Sequence, residues 1–304
     1  MNFEGIFPPA ITPLADDGEI DKGAFSEVIE YLISSGVHGI VIGGSTGEYY
    51  AQTIQERHNL AAWAKEIIGT RVPLIVGTGA VRTEESIEHA KAAKSIKADA
   101  IMIGSSPYAI PTEEENAQHA LKIDKAAGLP VMLYNYPGRM SVSMGREYFR
   151  IVTNSSKNFQ AIKEASGQPS QLHLLACEFP SISLSCGWDD QALEFFAWGA
   201  RSWVCAGSNF LPREHIALYE ACVLEKNFDK GRRIMRSMMA LMDFLEESGK
   251  FVQAIKYGSE LAGLRAGGAR APLQPLTPAA KEKLEHIVKL VKTEIDGIVK
   301  GNAQ

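Results

Sequence analysis

The sequence predicts an α/β chain of the (β/α)8 (TIM) barrel type over residues 1–224, with a C-terminal helical region over 225–304. Three observations carry that expectation. Short β-branched runs alternate with longer amphipathic stretches through the first two thirds of the chain, and each of eight strand candidates is followed by a helix candidate. The strand runs are apolar throughout, as parallel strands covered by helices require. From about Leu211 the strand signal stops and only helical periodicity continues.

The strands read in order as "GIFPPAIT", "HGIVIGG", "PLIVGTG", "DAIMIGS", "PVMLYN", "FQAIKE", "SISLSCG" and "SWVCAGS". Between the first five lie the helical patterns "KGAFSEVIEYLISSG", "TIQERHNLAAWAKEIIG", "TEESIEHAKAAKSIK" and "TEEENAQHALKIDKAAG". Most helices end near a glycine (Gly36, Gly69, Gly128), and the next strand begins a few residues later. The stretch "PREHIALYEACVLEKNFDKGRRIMRSMMALMDFLEES" supplies the eighth barrel helix and leads into the C-terminal region with "KFVQAIKYGSELAG" and "TPAAKEKLEHIVKLVKTEIDGIVK". No solenoid repeat and no low-complexity tract interrupts the pattern.

Composition narrows the function classes. With 304 residues, 45% hydrophobic and 22% charged, the chain can bury a sizeable core. A net charge of −5 with both signs interspersed offers no basic surface for nucleic acid and no polybasic contact for a membrane. A small metabolite is the natural partner. The start "MNFEGIFPPA" lacks a basic segment followed by a long apolar one, and no window approaches 18 uninterrupted apolar residues, so a cytoplasmic location is expected. Cys177, Cys186, Cys205 and Cys222 form no C-x-x-C pair and read as reduced, mostly buried thiols.

In such a barrel the reactive groups lie at the C-terminal ends of the strands and in the loops just after them. Strand two ends in "GGSTGE" (Gly43 to Glu48), strand four leads to "SSPY" (Ser105 to Tyr108), and strand five ends in "YNYPGR" (Tyr134 to Arg139). Strand six ends at Lys163, strand seven at "CGWDD" and strand eight at "AGSN". Hydroxyls, a phenol, an amine and an arginine are therefore expected around one mouth.

Lys163 is the sharpest of these. Partial desolvation disfavours an ammonium, and the neutral amine can attack a carbonyl carbon to give a Schiff base. The bland alternative is a lysine paired with Glu164 or snorkelling to the rim. Lys65, Lys91, Lys250, Lys256 and Lys289 lie on helical patterns and read as solvated surface charges. Tyr134, one strand earlier, can exchange a proton if hydroxyls such as Ser45 and Thr46 extend the relay; a buried tyrosine capped by one backbone bond is as good a reading of it taken alone.

The closely spaced glycines of "GGSTGE", Gly43 and Gly44, let backbone N–H groups approach an anion, and a substrate carboxylate is the favoured guest. The loop matches neither G-x-G-x-x-G nor a P-loop, so no nucleotide cofactor is implied. Arg139 can bind a second carboxylate bidentately or sit in a rim salt bridge. The seven histidines are scattered without H-x-H or H-E-x-x-H, which favours amine-dependent over metal-dependent chemistry.

Taken together, "GGSTGE", "YNYPGR" and "AIKEASG", in that order and spacing, resemble the dihydrodipicolinate synthase and N-acetylneuraminate lyase family, and "ARAPLQPL" (Ala269 to Leu276) is similar to its C-terminal signature. The resemblance covers nearly the whole chain. It implies a (β/α)8 barrel with C-terminal helices, a homotetramer built as a dimer of dimers, and a Schiff base with pyruvate or another 2-oxo acid. By the same resemblance Lys163 is the Schiff-base lysine and Tyr134 the proton shuttle. Gly44, Ser45 and Thr46 hold the 2-oxo acid carboxylate, Val204 lines the pyruvate pocket, and Arg139 receives the carboxylate of aspartate semialdehyde.

The departures are local. Where the synthases have a double tyrosine after proline, this chain has Pro107, Tyr108 and Ala109; Ile54 stands where lysine-regulated members carry histidine, so feedback by lysine is not expected. The resulting expectation is a metal-free, cofactor-free lyase forming a lysine Schiff base with a small 2-oxo acid in sugar-acid or amino-acid catabolism. One alternative is a genuine 4-hydroxy-tetrahydrodipicolinate synthase, favoured by Arg139 and opposed by Ala109. A second is a barrel that binds a metabolite without chemistry.

Overall fold

The computed structural model describes residues 1–301 and shows eight parallel strands. They are β1 (Gly5–Ile6), β2 (Ile40–Ile42), β3 (Leu74–Gly77), β4 (Ala100–Gly104), β5 (Val131–Asn135), β6 (Phe159–Glu164), β7 (Ser183–Cys186) and β8 (Ser202–Trp203). From β2 to β8 each strand pairs with its sequence neighbour, β8 pairs with β1, and an isolated bridge between Pro9 and Val41 closes the ring. The first strand is shorter than "GIFPPAIT" suggests. Pro8 and Pro9 have no N–H to give to a ladder, so contact with the second strand is reduced to Val41, whose N–H donates to Pro8 O at 2.9 Å and whose O accepts from the Ala10 N–H at 2.9 Å.

Barrel helices follow the strands: α1 (Lys22–Ser34), α2 (Ile54–Ile68), α3 (Thr83–Ser95), α4 (Glu113–Ala127), α5 (Arg146–Ser155), α6 (Pro169–Glu178), α7 (Ala192–Ala197) and α8 (Pro212–Tyr219). Local chemistry sets their ends. Thr53 with Glu56 and Thr112 with Glu115 form reciprocal capping boxes, and Gly128 closes α4 in the left-handed region at φ +60°. The long helical stretch after Leu211 is not continuous. A π-helical turn (Glu220–Leu224) follows α8, Lys226 takes φ +55°, and the Asn227 side chain caps a new helix, α9 (Phe228–Glu247). The helices α10 (Phe251–Leu261) and α11 (Pro278–Val299) complete the chain.

Strand alternation splits the apolar residues into two cores. Phe7, Val41, Ile75, Met102, Met132, Ala161 and Val204 fill the barrel interior, while Ile40, Ile42, Leu74, Val131 and Leu133 face the helices. Parallel strands therefore bury both faces. Tyr134 belongs to the interior set, and its register partners are Gly104 on β4 and Lys163 on β6. Among the described residues, no helix is long and apolar enough to cross a membrane.

The C-terminal helices do more than cover the barrel. α10 packs against the turn over Ser45–Gly47, and there Lys256 forms an ion pair with Glu48 at 2.9 Å, both side chains 2% exposed. Lys256 is thus no solvated surface charge; helical period alone does not show which face of α10 is covered. Its Nζ also donates to Gly268 O, and the Arg270 N–H donates to Glu48 Oε2 at 2.8 Å. The Arg270 guanidinium pairs with Glu56 and donates to Ala51 O, so the "ARAPLQPL" segment grips both ends of the β2–α2 loop. Lys65 likewise pairs with Asp99 at 3.0 Å. Removing one partner of a buried pair strands the other charge, so Lys256→Met is expected to lower unfolding free energy by about 3–5 kcal/mol. Denaturant titration checks this, and adding Glu48→Gln should recover most of the loss.

Candidate active site

The C-terminal mouth of the barrel holds a narrow cleft lined by Ser45, Thr46, Tyr134, Tyr136, Arg139 and Lys163. Gly187, Trp188, Asp189, Val204, Ala206, Glu246 and Phe251 complete the wall.

Lys163 is 8% exposed and its Nζ lies over the Tyr134 ring, 4.5 Å from the centroid. Pairing with Glu164 is ruled out by strand alternation. The Glu164 side chain points to the helix layer, where its carboxylate accepts from Asn135 Nδ2 at 2.7 Å and from the Ser166 N–H at 2.7 Å. Burial lowers the pKa of Lys163, with buried Asp189 pulling it back up. Burial also pushes the Asp189 carboxyl up to about 6, though it accepts from Trp203 Nε1 at 2.8 Å and the Ala206 N–H at 3.2 Å.

Gly187 shapes the lysine's path. A Cβ there would sit 2.6 Å from Lys163 Cγ, 2.9 Å from Cε and 3.0 Å from Glu164 O, so the lysine stem lies across bare backbone. Sequence reading placed Gly187 at the end of strand seven without that role.

Tyr134 is buried at the end of β5 and hydrogen-bonds Ser45. Burial pushes its phenol up to about 12, against the lowering effects of Arg139 and that hydrogen bond, so it stays protonated at neutral pH. Ser45 and Thr46 begin a single 3-10 turn after Gly44, where the first N–H groups have no acceptor within the turn. Gly44 itself lies behind the cleft, its α-carbon facing Pro9 and Met102. Gly43 holds φ +74° while the backbone of Gly77 passes so close that a Cβ on Gly77 would fall 2.3 Å from Gly43 O. Val204, 1% exposed, closes the floor.

Arg139 occupies a helical turn (Pro137–Met140) on the rim, its guanidinium 5.5 Å from the Tyr136 ring and 5.8 Å from the Phe251 ring. It makes no salt bridge to a carboxylate among the described residues. Tyr136, Trp188 and Phe251 give the outer cleft an aromatic border; the rings of Tyr136 and Trp188 meet edge to face at 6.3 Å.

Two sequence candidates lie elsewhere. Ser105 accepts from Asn116 Nδ2 and Ser106 donates to Val81 O, so both support loops, and Tyr108 stands 92% exposed at φ +73° outside the cleft. Asn209 of "AGSN" is also structural, bonding Ile11 N, Pro9 O and Ala206 O. Conversely, Glu246 and Phe251 reach the cleft from α9 and α10, which no strand-end rule points to. The scattered histidines are partly gathered by folding, His58 Nε2 lying 3.2 Å from His89 Nδ1, yet no three metal-ligating side chains converge among the described residues.

A sequence profile of the Dihydrodipicolinate synthetase family matches residues 2–291. The 4-hydroxy-tetrahydrodipicolinate synthase of Exiguobacterium sibiricum is 34% identical over 272 residues, 89% of this chain and 92% of that protein. That of Methanocaldococcus jannaschii is 30% identical over 94% of this chain and 98% of its own. Among solved structures, the 4-hydroxy-tetrahydrodipicolinate synthase of Methylacidiphilum fumariolicum superposes with TM-score 0.93 at 28% identity, covering 98% of this chain and 99% of that one. A prophage protein of the dihydrodipicolinic acid synthase family from E. coli K12, solved in complex with pyruvate, gives TM-score 0.90 at 26% identity over 96% and 99% of the two chains. With its whole barrel and nearly its whole length matched, the chain belongs to the dihydrodipicolinate synthetase family, a family of lyases.

Proposed function

We propose that this chain is a cytoplasmic lyase that binds pyruvate or a related small 2-oxo acid as a Schiff base on Lys163, in a catabolic reaction. The observation that carries the reading is the buried Lys163 amine beside Tyr134, whose hydroxyl bonds Ser45. The neutral amine adds to C2 of the 2-oxo acid, Tyr134 gives its proton to the departing oxygen, and water leaves as the imine forms. Ser45 passes a proton back to the phenol. The hydroxyls and N–H groups of Ser45 and Thr46 hold the carboxylate, and Val204 packs against C3. The protonated imine then draws electrons from the bond next to C2.

Sodium borohydride with a panel of 2-oxo acids tests this directly. A mass increase mapped to Lys163 supports it; an unchanged intact mass with every acid sinks it. Gly187→Ala pushes a methyl into the lysine stem, and a displacement of ~1 Å can cost about 10²-fold, so trapping with pyruvate should slow by that order. Unchanged trapping kinetics would show that the lysine has room to spare.

A second reading, 4-hydroxy-tetrahydrodipicolinate synthase acting on aspartate semialdehyde, is favoured by Arg139, which faces the cleft from the rim without a salt-bridged carboxylate. A coupled assay with pyruvate and aspartate semialdehyde decides it; turnover near 10 s⁻¹, the ordinary enzyme median, would displace the catabolic role. Assembly as a homotetramer fits the apolar side chains Val81, Tyr108 and Ile110, at 60%, 92% and 66% exposure on adjoining loops. Light scattering that reports a monomer would rule it out.

A further inference from the structure

The cleft contains a second acid with no task so far. Glu246, in the last turn of α9, reaches the wall shared by Lys163, Tyr134 and Arg139. Its neighbours are engaged: Asp189 holds Trp203 and the Ala206 N–H, Tyr134 holds Ser45, and Arg139 bonds Tyr136. Glu246 has no hydrogen bond and no ion pair among the described residues. A half-buried carboxyl without a protein partner costs free energy unless something else, such as a ligand, engages it.

The position is complementary to the imine machinery. Tyr134 and Ser45 serve the oxygen leaving C2, while joining or splitting the next carbon bond needs a proton donor for a different oxygen. Resting on the Schiff-base reading above, we propose that Glu246 is the catalytic acid and base for the carbonyl partner, an aldehyde that condenses with the Lys163-bound enamine to give a 4-hydroxy-2-oxo acid. The Tyr134–Ser45 pair takes a C3 proton from the iminium to give the enamine, whose C3 pair forms the new bond to the aldehyde carbon as the nitrogen becomes the iminium again. The aldehyde's π pair moves to its oxygen, which takes the Glu246 proton and becomes the C4 hydroxyl. Water then releases the product from Lys163. In cleavage the carboxylate takes that proton back as the bond breaks and the aldehyde departs.

The electrostatics suit both directions. Burial pushes the Glu246 carboxyl up to about 7, helped by Asp189 and Asp190 from the turn after β7 and opposed by Lys163 and Arg139. Tyr134 completes the titratable groups facing it. Donor and acceptor forms are both populated near neutrality.

The test uses the full chain and Glu246→Gln with three readouts: borohydride trapping of pyruvate, exchange of pyruvate methyl protons in D2O by NMR, and condensation with glycolaldehyde, glyceraldehyde or aspartate semialdehyde. Trapping and exchange should stay within about threefold, condensation should fall by about 10²-fold or more, and the pH–kcat limb near 7 should disappear. Glu246→Asp should restore part of the rate. Condensation by the Gln variant within threefold of wild type overturns the proposal, as does loss of exchange alongside condensation, which marks a structural role. A wild-type protein that exchanges pyruvate protons but condenses with none of the aldehydes overturns it too. Failure of wild-type trapping and exchange, by contrast, removes the Schiff base and this proposal with it.

Discussion

Lys163→Met is expected to abolish the borohydride adduct and lower turnover by roughly 10⁴-fold or more, because a thioether cannot add to a carbonyl. Folding should survive. The lysine is buried within the barrel, its charged form disfavoured there, and an apolar chain of similar length removes that burden. Thermal unfolding should therefore stay level or rise while activity vanishes, a combination that separates a lost nucleophile from a damaged core. In the wild type, the trapping rate should climb with pH through a pKa below the ordinary 10.5, since only the neutral amine attacks. A Met variant that still yields a stable adduct would place the imine on another lysine.

Tyr134→Phe should cost about 10²–10⁴-fold in kcat, the range for one positioned proton-transfer group. The ring stays, and with it the packing against Met102 and Val204 in the barrel core; what leaves is the hydroxyl and its bond to Ser45, worth about 1 kcal/mol of stability. The Phe variant should still trap pyruvate, slowly, because the amine is intact. Because burial already holds the phenol up to about 12, the wild-type activity has no limb from Tyr134 ionisation in the neutral range, and any limb there must come from another group. If Tyr134→Phe retains more than a tenth of wild-type kcat, the proton travels by a different route.

The groups that were legible in the sequence are those fixed by strand position. A lysine one residue from the end of β6 and a tyrosine in register with it on β5 follow from the barrel rule and from strand alternation, which also sends Glu164 to the opposite face. The "GGSTGE" loop was legible for the same reason. Ser105, Ser106 and Tyr108 obey the same rule by position yet serve loop anchoring or solvent, because a loop's direction is set by its own turns, here Tyr108 at φ +73° and Ile110 at φ +48°. Lys256 and Glu246 were out of reach for a different reason. Their faces of α10 and α9 are chosen by long-range docking onto the mouth, and helical period assigns a stripe without saying what it meets.

The buried contact between Glu48 and Lys256 also bears on how the molecule can be taken apart. A chain ending before α10 would lose Phe251 from the cleft, the ammonium that neutralises Glu48, and both hydrogen-bonding arms of Arg270 at a stroke. The eight strands would keep their ladders, but the loop that opens the cleft would carry an unmatched charge at its base. Barrel and C-terminal helices are therefore poor candidates for modular exchange among relatives: a chimaera joined after the eighth strand takes Glu48 from one parent and its Lys256 and Arg270 partners from the other, so the two parents must match at all three positions.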